Sequence, residues 1–559
     1  MTYVITQGCC SDASCVLECP VDCIRPTPDE RAFGSTEMLH IDPDTCIDCG
    51  ACMDACPVDA VFPDSELPDA FARFTDINAR YFERNPLEPS GLPPRRARPD
   101  AERGPLRVAI VGAGPAAAYV AEELLARKNV EVEVFDRLPT PWGLLRSGVA
   151  PDHLSTKRLT DLFDRPFASA AFSYHLNVEV GTHVSVAELL DHHHAVVLGV
   201  GASTGRSLEI PGADLPGSHT ATDFVAWYNG HPDYADLEFD LSGERAVIVG
   251  NGNVAIDVAR VLTMSPEALA ASDIAPHALE ALRHSNIREV VLLGRRGPLQ
   301  ASYTNGEFMA LGHLDGIDVV IDPAEVVLDP HSQELVSSGE LELSAELKVE
   351  LAQEYAARPA SGAARRIVFR YLQSPVAVTG PDRVTGVELV RNELVEDDGA
   401  LRARPTDDIE LVEASVVLSS IGYVAQPLPG VPFDDRRGVV PNDGARVLHE
   451  TGGSPETGIY ATGWFKRGAT GGIGSNRVDA TETVDALVAD FNAGVLTAGA
   501  GSRDDLIQLL DVRRPERLDA SGWSRIDAHE RALGTAAGRP RSKLVSLVDL
   551  LQAAGAGSA

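Results

Sequence analysis

Nine cysteines carry the most specific chemistry in the chain, and all precede residue 57: Cys9, Cys10, Cys15, Cys19, Cys23, Cys46, Cys49, Cys52 and Cys56. Cys46, Cys49, Cys52 and Cys56 are separated by two, two and three residues and followed by Pro57. That spacing wraps three thiolates round a four-iron four-sulfur cluster and lends the fourth to a neighbouring cluster. Cys9, Cys15 and Cys19-Pro20 repeat it, with Asp12 in the second position. The pattern assigns Cys19, Cys46, Cys49 and Cys52 to one 4Fe-4S cluster. Cys9, Cys15 and Cys56 are left for a second cluster, either 3Fe-4S or a 4Fe-4S completed by Asp12. A carboxylate is a harder and weaker iron ligand than a thiolate, so an iron beside Asp12 would be labile. Cys10 is an alternative to Cys9, and Cys23 reads as a buried non-ligand. Two Cys-x2-Cys pairs would also suit a zinc ribbon, but the full run does not match zinc spacing. Disulfide frameworks belong to small secreted domains, and the start of the chain lacks the basic and apolar regions of a secretory signal.

Two glycine-rich turns add phosphate-binding chemistry. Gly112-Ala113-Gly114-Pro115-Ala116-Ala117 follows the apolar run Val108–Val111 and opens an alanine-rich segment. Its glycines permit a tight turn and close approach of a pyrophosphate, and Ala117 is small enough for helix–strand packing. Asp136, ending the run from Val132, stands where a carboxylate would hold an adenosine ribose. Gly250-Asn251-Gly252-Asn253-Val254-Ala255 is a second such turn behind Ala246–Val249, with Asp257 on the helix that follows. The next strand ends in Arg295-Arg296 instead of an acid. Two guanidinium groups suit a ribose 2′-phosphate, so this site should prefer NADP to NAD. His192-His193-His194 has no partner cysteine or carboxylate pattern and reads as a solvated turn.

These residues need elements to hold them. Residues 1–83 contain 16 acidic residues against four arginines and no lysine, a net −12. Residues 84–105, with six prolines and five arginines, predict a semi-rigid exposed linker. Two strand–turn–helix beginnings predict two Rossmann-like lobes. One is built from residues 106–204 and 437–559, joined by a late strand at Gly458–Gly463, and the other from residues 205–436. Residues 500–559 read as surface helices without chemistry, and 553–559 as a loose tail. The net charge of −34 disfavours nucleic acid and anionic lipid. No stretch approaches the ~20 apolar residues of a spanning helix, so a cytoplasmic protein is expected.

Longer stretches carry a family likeness. Thr2–Ile5, Cys19-Pro-Val-Asp-Cys23 and Cys46-Ile-Asp-Cys-Gly-Ala-Cys52 resemble the two-cluster, seven-iron bacterial ferredoxins. Pro139 to His153 and Gly463 to Gly474 resemble the adrenodoxin-reductase-like ferredoxin–NADP reductases, and the likeness runs from Leu106 to about Leu551. It implies an FAD site completed by Leu144, Val180, Trp464, Gly471, Gly472 and Ile473 beside Gly112, Ala113, Gly114, Pro115 and Asp136. It also places Asn251, Gly252, Asn253 and Val254 against the NADP(H) pyrophosphate, Arg295 and Arg296 on the 2′-phosphate, and Glu307 near the ribose. His153 and Asp257 match a His/Asp pair near the flavin, which implies a role in positioning water or moving protons. Relatives usually have Pro at 469 and Val at 472, so Ala469 and Gly472 imply a more flexible loop.

The expected fold is an α/β two-lobe dinucleotide-binding flavoprotein preceded by a small α+β ferredoxin-like domain. Its expected function is NADPH:ferredoxin oxidoreduction: hydride to FAD, then single electrons through the fused clusters to a ferredoxin or another acceptor, such as a haem-thiolate monooxygenase system. The acidic module should dock on a basic face near the flavin, with Lys466 and Arg467 as candidates. A flavin disulfide reductase would need a cysteine pair beyond position 56, and there is none. The rival kept open is an electron-input subunit of a larger reductase or synthase complex. A redox sensor lacks a visible output domain.

Overall fold

The computed structural model describes residues 2–88, 96–339, 341–397, 400–497 and 499–556. The amino-terminal module is a pseudo-repeat with an offset of 37 residues. Short helices Ser14–Glu18 and Ala51–Ala55 each follow a left-handed residue, Ala13 (φ 64°) and Gly50 (φ 77°), and each end at an extended cysteine, Cys19 and Cys56. Ser11 and Asp48, and Asp22 and Asp59, match in the same left-handed way. Strands Tyr3–Ile5 and Val61–Pro63 pair antiparallel, as do Ile24–Arg25 and His40–Ile41. Helix Arg73–Arg84 closes the module. Its buried Asn78 accepts from the Ile41 amide (2.8 Å) and donates to the Ile5 carbonyl (2.9 Å).

The apolar runs downstream form two parallel sheets. Strands Leu106–Val111, Val130–Asp136, Phe172–Leu176, Ala195–Leu198 and Pro455–Ala461 share a seven-stranded sheet, with Arg446–Leu448 and Asn442–Asp443 at one edge. Strands Ser218–Thr220, Val416–Ser419, Arg245–Val249, Glu289–Gly294, Arg365–Tyr371 and Ile317–Ile321 form the second, six-stranded and wholly parallel. The central parallel strands, such as Leu106–Val111, Ala195–Leu198, Arg245–Val249 and Glu289–Gly294, are buried on both faces, which explains why they read as nearly unbroken Val/Ile/Leu runs. A three-stranded antiparallel sheet (Gln373–Thr379, Gly386–Asp397, Ala400–Glu413) flanks the second lobe. The two chain crossings between lobes pair as a short ribbon, Thr204–Gly205 against Tyr423–Val424. Among the described residues, no helix is long and apolar enough to cross a membrane.

Four expectations change. The segment 84–105 is not a free linker where it is described: Arg84 ends a helix, Arg96 pairs with Glu123 (2.6 Å), and the Ala97 and Arg98 carbonyls accept from Arg127 and Asn492. Residues 89–95 of it lie outside the described residues. The histidine run is not a solvated turn: His193 and His194 are buried, and His193 shares Glu133 with His175 at 2.8 and 3.0 Å. Burial opposes the Glu133 charge, but hydrogen bonds from both histidines outweigh it and hold the carboxyl well below its usual range.

The carboxy-terminal helices are not merely on the surface. Glu530 is fully buried and binds Arg146 (2.6 Å) and Arg541 (2.7 Å). Buried Lys543 donates to Asn229 (2.9 Å) and pairs with Asp273 (3.2 Å), which also holds Lys157 (2.5 Å). This arm fastens the two lobes to each other. Of the expected tail, Ala553 ends helix Leu547–Ala553, and residues 557–559 lie outside the described residues.

Lys466 and Arg467 are not a docking face. Lys466 pairs with Asp479 and Glu482, and Arg467 with Asp479. The module docks elsewhere, with charges partly reversed. Its own arginines meet helix Leu343–Ala357: Arg73 with Glu354 (3.0 Å), Arg80 with Glu346 (3.2 Å) and Glu350 (3.3 Å), and Arg84 with Glu346. Glu37 pairs with Lys348 (3.2 Å) and accepts from the Asn305 amide (2.7 Å). Half-buried surface pairs of this kind still contribute little each. The apolar contact contributes more: the module core, including Val4, Ile24 and Phe74, is continuous with that of the second lobe, while Val58 and Ala60 pack with the first.

Candidate functional site

The two cysteine runs fold back on each other as their spacing requires. Cys9, Cys15, Cys56 and Asp12 lie close enough to influence one another's charge. Cys52 is surrounded by Cys46, Cys19 and Cys49 in the same sense. By the 37-residue offset Cys9 matches Cys46 and Asp12 matches Cys49, whereas Cys10 matches Ile47 and Cys23 matches Ala60. Burial pushes the Cys9 thiol up to about 11 and the Cys52 thiol up to about 12. A hydrogen bond with Cys23 draws Cys19 down to about 6, the two sulfurs lying 3.5 Å apart. Thiols gathered this closely, with Cys9, Cys15, Cys52 and Cys56 kept from ionising alone by burial, fit an iron–sulfur group, whose irons supply the positive charge their thiolates need. The two groups differ in exposure. Cys49 is exposed, while its counterpart Asp12 is buried against the reductase lobes.

In the first lobe, Gly112 (φ 99°) has no space for a side chain, since a Cβ there would lie 2.4 Å from the Gly199 carbonyl oxygen. Helix Pro115–Leu125 starts at Gly114 without a side-chain cap, unlike Val186–His192, Ala221–Tyr228 and Arg503–Arg513, which have capping boxes. Uncapped first-turn amides are free to receive an anion. Asp136 accepts from the Ala113 and Leu138 amides, both at 2.8 Å, which fixes its carboxylate behind the turn. Burial raises its pKa while those hydrogen bonds lower it, and burial prevails. The residues that the resemblance assigns to FAD converge here. Val111, Val180 and Trp464 share one apolar cluster, and Ala113, Trp142 and Ile473 another, with Leu144 beginning the short helix Leu144–Ser147. Trp464 Nε1 donates to the Thr470 carbonyl (3.0 Å) and anchors the exposed loop of Gly471 and Gly472.

In the second lobe, Gly250 (φ 121°) is equally constrained, with Ser420 oxygen 2.2 Å from a hypothetical Cβ. Gly252 precedes the uncapped helix Asn253–Thr263, where Val254 lies in the first turn. Asn253 accepts from the Thr304 amide (2.8 Å) and Asn251 from Ser302 (3.4 Å), so both side chains brace the facing loop. Arg295 is exposed and Arg296 half-buried. Among the described residues no carboxylate pairs with either guanidinium. Burial, and then the charge of Arg295, lower the Arg296 pKa.

A charged seam joins the lobes. His153 Nδ1 lies 4.0 Å from Asp257, and His153 Nε2 lies 3.8 Å from Glu307. Sequence reasoning missed the residue at its centre. Arg260 Nη1 donates to His153 Nε2 (2.7 Å) and Asp257 (2.9 Å), while Nη2 binds Asp152. Its position three residues after Asp257, on the same helix face, was the available signal. Arginine has no acceptor, so His153 Nε2 must carry a lone pair and the ring proton must sit on Nδ1, facing Asp257. The three ligand-type residues His153, Asp257 and Glu307 could enclose an ion, but the Arg260 cation already fills that role. Burial raises Asp257 to about 7, against the pull of His153 and Arg260.

Two Rossmann lobes joined by such a seam, with a thiol-rich module packed on both, define a two-nucleotide oxidoreductase with fused iron–sulfur chemistry. A family model described as 4Fe-4S binding domain matches residues 39–62, and one described as pyridine nucleotide-disulphide oxidoreductase matches residues 106–290. A ferredoxin/ferredoxin–NADP reductase of Mycobacterium tuberculosis is 47% identical, covering 99% of this chain and 95% of the relative, and one of Mycobacterium leprae is 45% identical with 99% and 98% covered. The solved structure of Mycobacterium tuberculosis FprA in complex with NADPH superposes with a TM-score of 0.76 at 44% identity, covering 80% of this chain and 99% of that one. The chain belongs to the ferredoxin/ferredoxin–NADP reductase family. It has no cysteine beyond Cys56, so neither lobe carries the dithiol chemistry in the second model's description.

Proposed function

We infer that the chain is an NADPH:ferredoxin-type oxidoreductase in which the fused module is the first electron acceptor. FAD supplies the exchange between a two-electron hydride donor and one-electron carriers, and the iron–sulfur clusters take the single electrons. The residues hold and align these groups. Asn251 to Val254 and the uncapped helix behind them receive the NADPH pyrophosphate, and Arg295 and Arg296 its 2′-phosphate. Gly112 to Pro115, Asp136, Leu144, Val180, Trp464 and Gly471 to Ile473 hold FAD. His153, kept as its Nδ1 tautomer by Arg260, and Asp257 hold a proton at the seam, with Glu307 beside them. Cys9, Cys15 and Cys56 bind the first cluster, and Cys19, Cys46, Cys49 and Cys52 the second, a 4Fe-4S cluster.

One observation carries the order of transfer: the Cys10 carbonyl accepts from the Gly474 amide at 3.0 Å. The first-cluster loop therefore touches the segment that follows the flavin loop, while the second cluster faces outward at exposed Cys49. Around it Leu17, Ile47 and Met53 are exposed among Glu18, Asp44, Asp48 and Asp54, a face suited to an acceptor with a basic rim. Truncating the module would bare its shared core, so the informative variant is Cys49→Ala in the full chain. NADPH should still reduce the flavin at the normal rate, while reduction of cytochrome c, a basic protein, falls at least about tenfold. Unchanged cytochrome c reduction would remove the second cluster from the path.

A further inference from the structure

The reductase contributes a residue to the first cluster's surroundings. Arg477 belongs to helix Ser475–Asn492 of the first lobe and reaches across the interface, its Nη2 lying 3.8 Å from Asp12 Oδ2 and 3.9 Å from Glu122. Its guanidinium lies over the Tyr119 ring at 5.1 Å, and its Nε has no hydrogen-bond partner. Asp12 Oδ2 also accepts from the Ser14 amide (3.3 Å) and hydroxyl. The approach is tight. A Cβ on Gly474 would lie 1.9 Å from the Ser11 carbonyl oxygen, so the loop that bears Asp12 is pressed against the turn that begins the arginine's helix. Cys49, the counterpart in the second run, is exposed.

We propose that Arg477 is a positioning residue that holds the first cluster at three irons while the module is docked, by keeping a cation beside the carboxylate that a fourth iron would need. A ferrous ion on Asp12 would share a buried carboxylate with a guanidinium, and two cations at such range repel strongly where water is excluded. The effect is reciprocal: whatever weakens docking eases iron capture, and a captured iron weakens docking. The capture step moves no electrons. A three-iron core, already reduced by one electron from NADPH, takes up a ferrous ion whose waters leave. Three iron–sulfide bonds and one iron–carboxylate bond form, and the Asp12–Arg477 contact breaks. The inference rests on Cys9, Cys15 and Cys56 being the ligands of that cluster.

The test titrates ferrous ion anaerobically into the reduced holoprotein, reading iron per chain and the electron paramagnetic resonance signal of the three-iron cluster. FAD content and the second cluster's signal report folding. Asp12→Cys is the control for the ligand reading and should gain one iron. Arg477→Met should bind the fourth iron at least about tenfold more tightly than wild type and lose the three-iron signal, because the opposing charge is gone. Arg477→Lys, which keeps the charge on a shorter reach, should fall between the two and decides the matter if the Met variant loses FAD. A gain in Asp12→Cys without one in either arginine variant overturns the proposal. So does a wild type that takes the fourth iron as readily as Asp12→Cys. No gain in Asp12→Cys overturns the ligand reading beneath it.

Discussion

The turn at Gly112–Pro115 and the turn at Gly250–Asn253 both follow a buried parallel strand, press a left-handed glycine against a facing carbonyl, and lead into a helix without a side-chain cap. They differ at the end of the next strand. In the first lobe Asp136 is bound on both oxygens by backbone amides, Ala113 of the turn itself and Leu138. In the second, Arg295 and Arg296 are unmatched by any described carboxylate, in a chain whose other arginines mostly have one. The first arrangement is complete before a nucleotide arrives, and the second is electrostatically incomplete until one does. That contrast is what a resident cofactor and an exchanging one require: a preorganised socket for FAD, and a charge deficit that NADPH fills and vacates at each turnover.

The contrast would break most visibly at Asp136. Asp136→Ala leaves the amides of buried Ala113 and half-buried Leu138 without acceptors, at up to roughly 1–3 kcal/mol each. Thermal unfolding should shift down accordingly, and FAD should be lost on gel filtration. A variant with full FAD and an unchanged Tm would show that the first socket is not built on this carboxylate. The next effect is at the arginines. Arg295→Ala/Arg296→Ala should raise KM for NADPH at least about 30-fold, through lost charge-assisted hydrogen bonds, with NADH kinetics and Tm unchanged. Equal losses with both nucleotides would make the pair structural.

The smallest effect lies on the seam between the lobes. Burial holds the Asp257 carboxyl up at about 7 in the folded protein, well above the usual aspartate range. A raised carboxyl pKa means that the folded state binds the extra proton, so stability is greatest below the unfolded value and falls as pH rises through that window. Melting the holoprotein from pH 4 to pH 8 should show wild type losing stability relative to Asp257→Asn up to about pH 7, then running parallel to it. Parallel curves throughout would mean that Asp257 is ionised across the range.

Much of this was legible because the chemistry is local. Cys46 to Cys56 is a complete cluster motif within 11 residues, and each nucleotide turn is a strand, two glycines and a helix in sequence. What was not legible depends on residues far apart. The register that pairs Cys9 with Cys46 and Cys10 with Ile47 needs the backbone repeat, since both cysteines fit the spacing within one residue. Lys466 and Arg467 looked like a free basic patch because the carboxylates that bind them, Asp479 and Glu482, belong to the next helix and approach only when it folds back. Glu530 and Lys543 looked like surface residues because burying a charge depends on partners, and theirs lie hundreds of residues upstream at Arg146 and Asp273.

The fastening of the lobes by the carboxy-terminal arm also orders events during synthesis. The second lobe emerges from the ribosome in the middle of the first, whose strand Pro455–Ala461 cannot join its sheet until the inserted lobe has been made. Arg146 is present long before Glu530, and Asp273, already paired with Lys157, long before Lys543. The final docking step therefore belongs to the segment that carries Glu530 and Lys543, a domain-assembly event that follows the folding of either lobe. A ribosome that stopped after Asn492 would release a chain with both nucleotide turns, both cysteine runs and no clasp.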